Sequence, residues 1–315
     1  MRRLFQILLG LSLLGPTVAT AAAQELLKVA VPQRGSWDAG IPELGSRGGI
    51  FKKHGLQLEI LYTSGGPESI QALIAGSVDI ATASGVSAAF GTFAKGAPIR
   101  IIGSEIIGSP DLFWYVPANS PIQKIEDFNG KAVAYSLTGS SSHAALLALT
   151  AQYNLKVKPT STGSIAATIT QTMTGQVDVG WSAAPIGVSA LEEGKIRIVA
   201  RGNDVPAFAD QTVRFVLANA EALDKRPDVF RRYMQAYRDT LDWMYADPAS
   251  LAAYAAWAGV SESVARRTRD DFIPKDNANP DRISGLDAAM ADAVAYKFLP
   301  APLDAGQLKT LIRLQ

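Results

Sequence analysis

Residues 64–83, Ser-Gly-Gly-Pro-Glu-Ser-Ile-Gln-Ala-Leu-Ile-Ala-Gly-Ser-Val-Asp-Ile-Ala-Thr-Ala, constrain the fold more than any other stretch of this chain. Gly65 and Gly66 free the backbone for a tight turn. Pro67 suits the first position of a helix, where its missing N–H costs nothing. Ile70, Leu73 and Ile74 share one helical face, and Gly76 is placed to end that helix in a left-handed conformation. Val78–Ala81 then begins a short apolar strand with Asp79 at its mouth. Loop, helix, turn and strand in this order are half of a parallel βαβ unit. The pattern returns with Thr162-Gly163-Ser164, an apolar helix, Gly175 and Val177-Asp178-Val179, and the two aspartates are 99 positions apart. Two such units predict two similar α/β lobes, with Asp79 and Asp178 capping a turn or bonding backbone N–H groups rather than forming a catalytic pair.

Three stretches carry a family resemblance. Ala75-Gly76-Ser77-Val78-Asp79-Ile80-Ala81, Gly49-Ile50-Phe51-Lys52-Lys53-His54-Gly55-Leu56 and Ile125-Glu126-Asp127-Phe128-Asn129-Gly130-Lys131-Ala132-Val133 resemble the ABC-transporter substrate-binding proteins of the nitrate/sulfonate/taurine class, which include thiamine-pyrimidine binders. The resemblance runs from about Leu27 to about Tyr254. It implies a two-lobe periplasmic binding protein fold of type II, each lobe a parallel-dominated sheet flanked by helices, with a two-strand hinge. It also implies a small-molecule ligand and an ABC permease at the inner membrane as partners. A fungal-type pyrimidine synthase shares the resembled fold, but its cysteine-rich motif is impossible in a chain without cysteine.

Residues 1–23 read as a secretory signal, with Arg2-Arg3, the apolar run Leu4–Leu14 and a small-residue cleavage site at Ala21-Ala22-Ala23. Cleavage turns the 30 basic and 29 acidic residues into 28 against 29. Such a balance argues against nucleic acid as a partner. No later stretch has the apolar length of a membrane span, so the expectation is a soluble, monomeric periplasmic protein. Without cysteine there is no disulfide, lipid-anchor cysteine or thiolate metal site. The two histidines, His54 and His143, are far apart, and no metalloprotease, nucleophile-elbow or P-loop motif occurs. The chain therefore reads as a binder, with no catalytic residue, metal or cofactor expected.

Two aromatic or apolar strands share the ending Val-x-Ala-Asn, Phe113–Asn119 and Phe215–Asn219. They read as paired crossovers between lobes, a hinge for a clamp. The expected division is residues 24–113 with 219–315 for lobe 1 and 114–218 for lobe 2. The segment after Asn219 is helical, with an amphipathic stripe from Val229 to Met244 and capping boxes at Ser284/Asp287 and Asp304/Gln307; it is expected to pack on lobe 1.

Ligands of open α/β sheets sit beyond the carboxyl ends of the strands. This rule selects loops rich in Gly, Ser and Thr, with candidate ligand contacts Arg34, Trp37, Ser64, Gly65, Ser84, Gly85, Thr138, Gly139, Ser140, Ser141 and Trp181. Trp37 and Trp181 are expected to face each other across the cleft. The turn Thr138–Ser142, at a helix start, offers unpaired N–H groups and the positive end of a dipole to an anionic group, and Arg34 would add a full charge. The expected ligand is a small organic anion of sulfonate or carboxylate type. A neutral heterocycle such as a pyrimidine, a role as the ligand-sensing subunit of a membrane receptor, and a periplasmic enzyme are the other readings.

Overall fold

The computed structural model describes residues 24–315, so the expected leader, 1–23, lies outside the described residues. Among these, the strands are β1 (Glu25–Pro32), β2 (Leu56–Thr63), β3 (Ile80–Gly85), β4 (Ile99–Ile107), β5 (Leu112–Pro117), β6 (Ala132–Tyr135), β7 (Lys158–Ser161), β8 (Gly180–Ala183), β9 (Ile196–Arg201) and β10 (Thr212–Asn219). The first sheet has the order β2-β1-β3-β10-β4. In it β1, β2 and β3 are parallel, and β10 runs antiparallel to β3 and β4. In the second lobe β5 is antiparallel to β8 and β9, and β6 is parallel to β7. A parallel bridge from Val133 to Val179 joins the two pieces. The second order is thus β7-β6-β8-β5-β9, the same pattern as the first. Each sheet accepts one antiparallel strand directly after the chain has crossed from the other lobe.

Sequence patterning accounts for these positions. On β2, an edge strand, Leu56 is buried and Leu58 and Ile60 are half-buried, while Gln57 and Glu59 face solvent, the period-2 signature of a sheet with one covered face. On β5, central in its sheet, Phe113, Trp114 and Tyr115 are fully buried, and the Trp114 indole donates to the Ala134 carbonyl at 2.9 Å. The 99-residue offset reappears in the bonding. Asp79 Oδ2 accepts the Lys28 N–H at 2.9 Å, and Asp178 Oδ2 accepts the Ala132 N–H at 2.8 Å. The Thr63–Ser69 hydroxyl pair (2.7 Å) has its counterpart in Thr162–Thr168 (2.6 Å). Both aspartates fasten the mouth of a parallel strand pair, the structural role expected of them.

The crossovers fall just before the two Val-x-Ala-Asn strands, not on them. Phe113–Pro117 lies in the second sheet and Phe215–Asn219 in the first. The connecting segments are 108–111 and 202–211, so β10 joins the first sheet from residue 212 rather than 219. These segments touch: the Gly108 N–H donates to the Gln211 carbonyl at 2.7 Å and the Ser109 N–H to Asn203 Oδ1 at 2.7 Å.

The long helix Pro227–Ala246 buries Val229, Phe230, Tyr233, Tyr237, Leu241 and Met244 and packs on the helices Gly40–Arg47 and Ile50–Lys53 of the first lobe. Asp304 and Gln307 form the expected capping box. Ser284 does not: Gly285, with φ +61°, caps the helix Leu286–Ala295. Ser284 instead pairs with β10, its N–H donating to Thr212 Oγ1 and its carbonyl accepting the Thr212 N–H, both at 2.9 Å. The C-terminal segment also reaches the second lobe, where Phe272 meets Phe113 at 5.7 Å and Phe298 meets His143 at 5.3 Å between ring centroids.

Candidate functional site

Helices from opposite lobes start at one cleft. From the first lobe comes Gly66–Ile74, with Pro67 in its first turn, and from the second Ser141–Gln152, capped by the Ser140 hydroxyl, which accepts the His143 N–H at 3.2 Å. First-turn N–H groups have no acceptor within their own helix. Gly65, Gly66, Ser140, Ser141 and Ser142 all line the cleft. A third start, that of helix Ile165–Met173, is already filled: the Ile165 N–H donates to Gln33 Oε1 at 3.1 Å, across the lobes. The Gln33 amide nitrogen donates to the Ser64 carbonyl and, at 3.4 Å, to Ser136 Oγ.

The lobes are in contact around this cavity of about 40 Å³, against roughly 10–15 Å³ for one water. Two glycines mark the contact. A Cβ on Gly65 would stand 2.8 Å from Ser136 Oγ, and one on Gly85 would stand 2.9 Å from the Gly139 carbonyl and 3.0 Å from the Ser141 nitrogen. Gly65 and Gly85 thus let the lobes approach.

The charge in the cleft belongs to Arg214 on β10. Its Nη1 donates to Asp38 Oδ2 at 3.1 Å, its Nη2 to Asp111 Oδ2 at 2.8 Å and its Nε to Ser141 Oγ at 3.2 Å. All three charged groups are buried. Burial opposes the guanidinium charge, but Asp111 and Asp38 more than offset it and raise the Arg214 pKa. Burial pushes the Asp111 carboxyl up, against the pull of Arg214. Behind them Glu105 on β4 accepts the Tyr237 hydroxyl at 3.0 Å and the Ala83 N–H. Burial, then the nearby Asp38 charge, pushes Glu105 up to about 8, so it is largely neutral at pH 7. His143 is pulled down to about 4 by burial. Neutral, it stacks on Tyr135 at 4.1 Å and accepts the Gly139 N–H on Nδ1 at 3.2 Å, bracing the Thr138–Ser142 turn. Among the described residues no group of three or more His, Cys, Asp or Glu is placed to hold a metal ion.

Of the residues singled out in sequence, Gly65, Ser140, Ser141 and Trp181 line the cleft together. Trp181 donates to Thr162 Oγ1 at 3.2 Å. Trp37 does not face it. Trp37 is packed in the core, its indole donating to the Tyr245 hydroxyl at 3.1 Å and its ring edge-on to Tyr254 at 4.6 Å. Arg34 is exposed, with its guanidinium 5.5 Å over the Tyr62 ring. Ser64 is exposed and Ser84 is buried, bonding the Ala81 and Thr82 carbonyls. Thr138 and Gly139 border a separate surface groove with Phe298. Sequence reasoning missed Asp38, Asp111, Arg214 and Glu105. Asp38 lies one position beyond the selected loop. Arg214 carried a signal: it is a lone charge inside the apolar run Val213–Ala218, and charges in such strands are paired when buried.

The NMT1/THI5-like family model matches residues 44–251, about two thirds of the chain. The chain belongs to the NMT1/THI5-like family. An Escherichia coli K12 relative, described as "Putative aliphatic sulfonates-binding protein", is 32% identical over 158 residues, which make up 49% of this chain. The chain spans about half of that relative's length, 47%. Among solved structures, this NMT1/THI5-like chain is similar to the alkanesulfonate-binding protein of Xanthomonas axonopodis pv. citri bound to MOPS. That likeness has a TM-score of 0.79 at 20% identity and covers 93% of this chain and 100% of the other. It is also similar to the periplasmic aliphatic sulphonate binding protein of Escherichia coli, with a TM-score of 0.72 at 22% identity and 92% of each chain covered. At these identities the solved structures establish the fold: two lobes in the periplasmic binding protein arrangement.

Proposed function

We propose that this chain is the periplasmic solute-binding component of an ABC importer and that it holds a small organic anion, of sulfonate or carboxylate type, between its lobes. The observation that carries the reading is the meeting of two helix starts, Gly66–Ile74 and Ser141–Gln152, in one inter-lobe cleft. The second start offers the Ser141 and Ser142 N–H groups and the first only that of Gly66, because Pro67 has none and Glu68 and Ser69 donate to the Gly65 carbonyl; each adds the positive end of a dipole, worth roughly 0.3–1 kcal/mol where exposed and up to about 2 when partly buried. Arg214, tied to two aspartates, keeps the site from being strongly cationic, which suits a monoanion better than a phosphate or a dicarboxylate. The sulfonate-binding relatives support the same ligand class. Gly65, Ser140, Ser141, Ser142, Trp181 and Arg214 form the proposed contact set. The chain acts as a monomer, exported by its leader, and its closed form docks on a membrane permease; it performs no covalent chemistry. No helix of the described residues is long and apolar enough to cross a membrane. Mass spectrometry of small molecules released from freshly purified protein tests the reading. A sulfonate or carboxylate is expected, and a stoichiometric neutral heterocycle would displace it.

A further inference from the structure

We propose that Gln33 is a positioning residue for ligand capture: its carboxamide fills one helix start of the opposite lobe, as a built-in substitute for a ligand, and holds part of the ligand-free chain closed. The inference rests on the two-lobe clamp of the reading above, not on the charge of the ligand.

Gln33 follows β1 in the first lobe, and its side chain reaches the second. Its Oε1 accepts the Ile165 N–H at 3.1 Å, and its Nε2 donates to the Ser64 carbonyl and, at 3.4 Å, to Ser136 Oγ. Ser64 belongs to its own lobe; Ile165 and Ser136 belong to the other. The backbone aims it there. Gln33 has a φ of +54°, in the left-handed region that residues with a side chain seldom occupy. The turn fixes that conformation: the Gln33 N–H donates to the Thr63 carbonyl at 3.1 Å, and its carbonyl accepts the Ser36 N–H at 3.1 Å and the Ser36 hydroxyl at 2.8 Å. Strain held in place by several bonds points to a side chain whose direction matters.

The internal repeat shows what the carboxamide replaces. Ile165 lies 99 positions after Gly66, so the two residues open matching helices, Gly66–Ile74 and Ile165–Met173. Gly66 lines the cleft, whereas the Ile165 N–H is taken by Gln33. The counterpart of Gln33 is Leu137. Lys28 and Ala132 are matched by their bonds to Asp79 and Asp178, and Gln33 and Leu137 each lie five positions further on. Leu137 also crosses the cleft, where a Cβ on Gly65 would stand 3.1 Å from its Cδ1. An apolar side chain cannot accept from an N–H, so Leu137 leaves the first helix start to the ligand. Gln33 can, and it fills the second. Its bonds across the lobes form on closing and need no ligand.

The chain has no cysteine, so cysteines placed at exposed Glu59 and Lys158, on the edge strands β2 and β7 of the two lobes, can carry a pair of spin labels. Dipolar electron spin spectroscopy of the ligand-free chain then reads the distance between lobes. Two distances are expected in the parent, one open and one closed. Gln33→Ala is expected to lower the closed-to-open ratio by about fivefold or more, with an unchanged circular dichroism spectrum. Gln33→Asn keeps the carboxamide and tolerates a left-handed backbone but is one methylene short, so it is expected to lose the closed distance in the same way. A parent-like ratio in either variant, or a ligand-free parent with the open distance alone, overturns the proposal. Calorimetry with ethanesulfonate and with propanoate adds a second readout. Because Gln33 acts on closure, both affinities are expected to fall by the same factor in the variants. Unequal losses would make Gln33 a direct ligand contact and overturn its positioning role. Binding of neither compound to the parent would overturn the anion reading, and the spin-label distances would still decide the role of Gln33.

Discussion

Arg214 is held by groups from three separate segments: Asp38 from the loop after β1, Asp111 from the first crossover, and Ser141 from the second lobe. Removing it leaves two buried carboxylates with no counter-charge, so Arg214→Leu is expected to lower stability by about 3–5 kcal/mol, read from urea denaturation at neutral pH. Unchanged stability would mean that the aspartates are hydrated rather than paired. Glu105 gives a prediction of opposite sign to the usual carboxylate. Its pKa is raised from 4.5 to about 8. Between those values the folded chain keeps a proton that the unfolded chain has released. This contribution to stability therefore falls as pH rises from about 5 to about 8 and then levels off. Glu105→Gln, which can still accept from Ala83 and bond Tyr237, should flatten that slope in denaturation midpoints. A slope identical to the parent's would assign the titration to another group. In the sequence Arg214 is marked only as a charge inside an apolar strand, and neither residue is marked there as part of a site. Positions 38, 105, 111 and 214 are brought together only by the strand order, and no local pattern encodes that convergence.

Elements with local signals were legible. The helix starting at Gly66, its stop at Gly76 and the strand mouth at Asp79 follow from glycine, proline and aspartate placed at the required offsets. The hinge was not, because segments 108–111 and 202–211 have no periodicity of their own, and the motif beside them belongs to the sheets. Gly85 tests the contact between elements. Its φ of −60° and ψ of 135° suit any residue, so Gly85→Ala should leave the melting temperature nearly unchanged. Its Cβ would meet main-chain atoms of Gly139 and Ser141, which cannot rotate away, so ligand affinity should fall by about tenfold or more. Parent-like affinity in a calorimetric titration would mean that the lobes need not come this close. His143 tests the turn. With its pKa lowered from 6.5 to about 4, the neutral ring is favoured by folding, and that contribution is lost as pH falls from about 6 to about 4. Protonation of the folded ring, centred near pH 4, removes the acceptor for the Gly139 N–H, so affinity should hold down to about pH 5 and decline as pH falls through about 4. His143→Phe, which keeps the stacking face, should bind weakly at every pH.

At the scale of the whole molecule, the repeat of one half-unit after 99 residues was enough to indicate two matching lobes, and both sheets adopt the same strand order. What the repeat could not supply is the state of the cleft, with the lobes in contact at Gly65 and Gly85 and the C-terminal segment reaching across through Phe272 and Phe298. A clamp that binds in this state draws its open–closed population toward closed when ligand is added. Small-angle X-ray scattering of the chain without ligand, and then saturated with a small organic sulfonate or carboxylate whose binding calorimetry has established, tests this directly. The radius of gyration is expected to fall on saturation in the parent and to stay at its ligand-free value in Gly85→Ala. A parent radius that does not change, with binding confirmed in the same sample, would contradict a ligand held by closure of the two lobes.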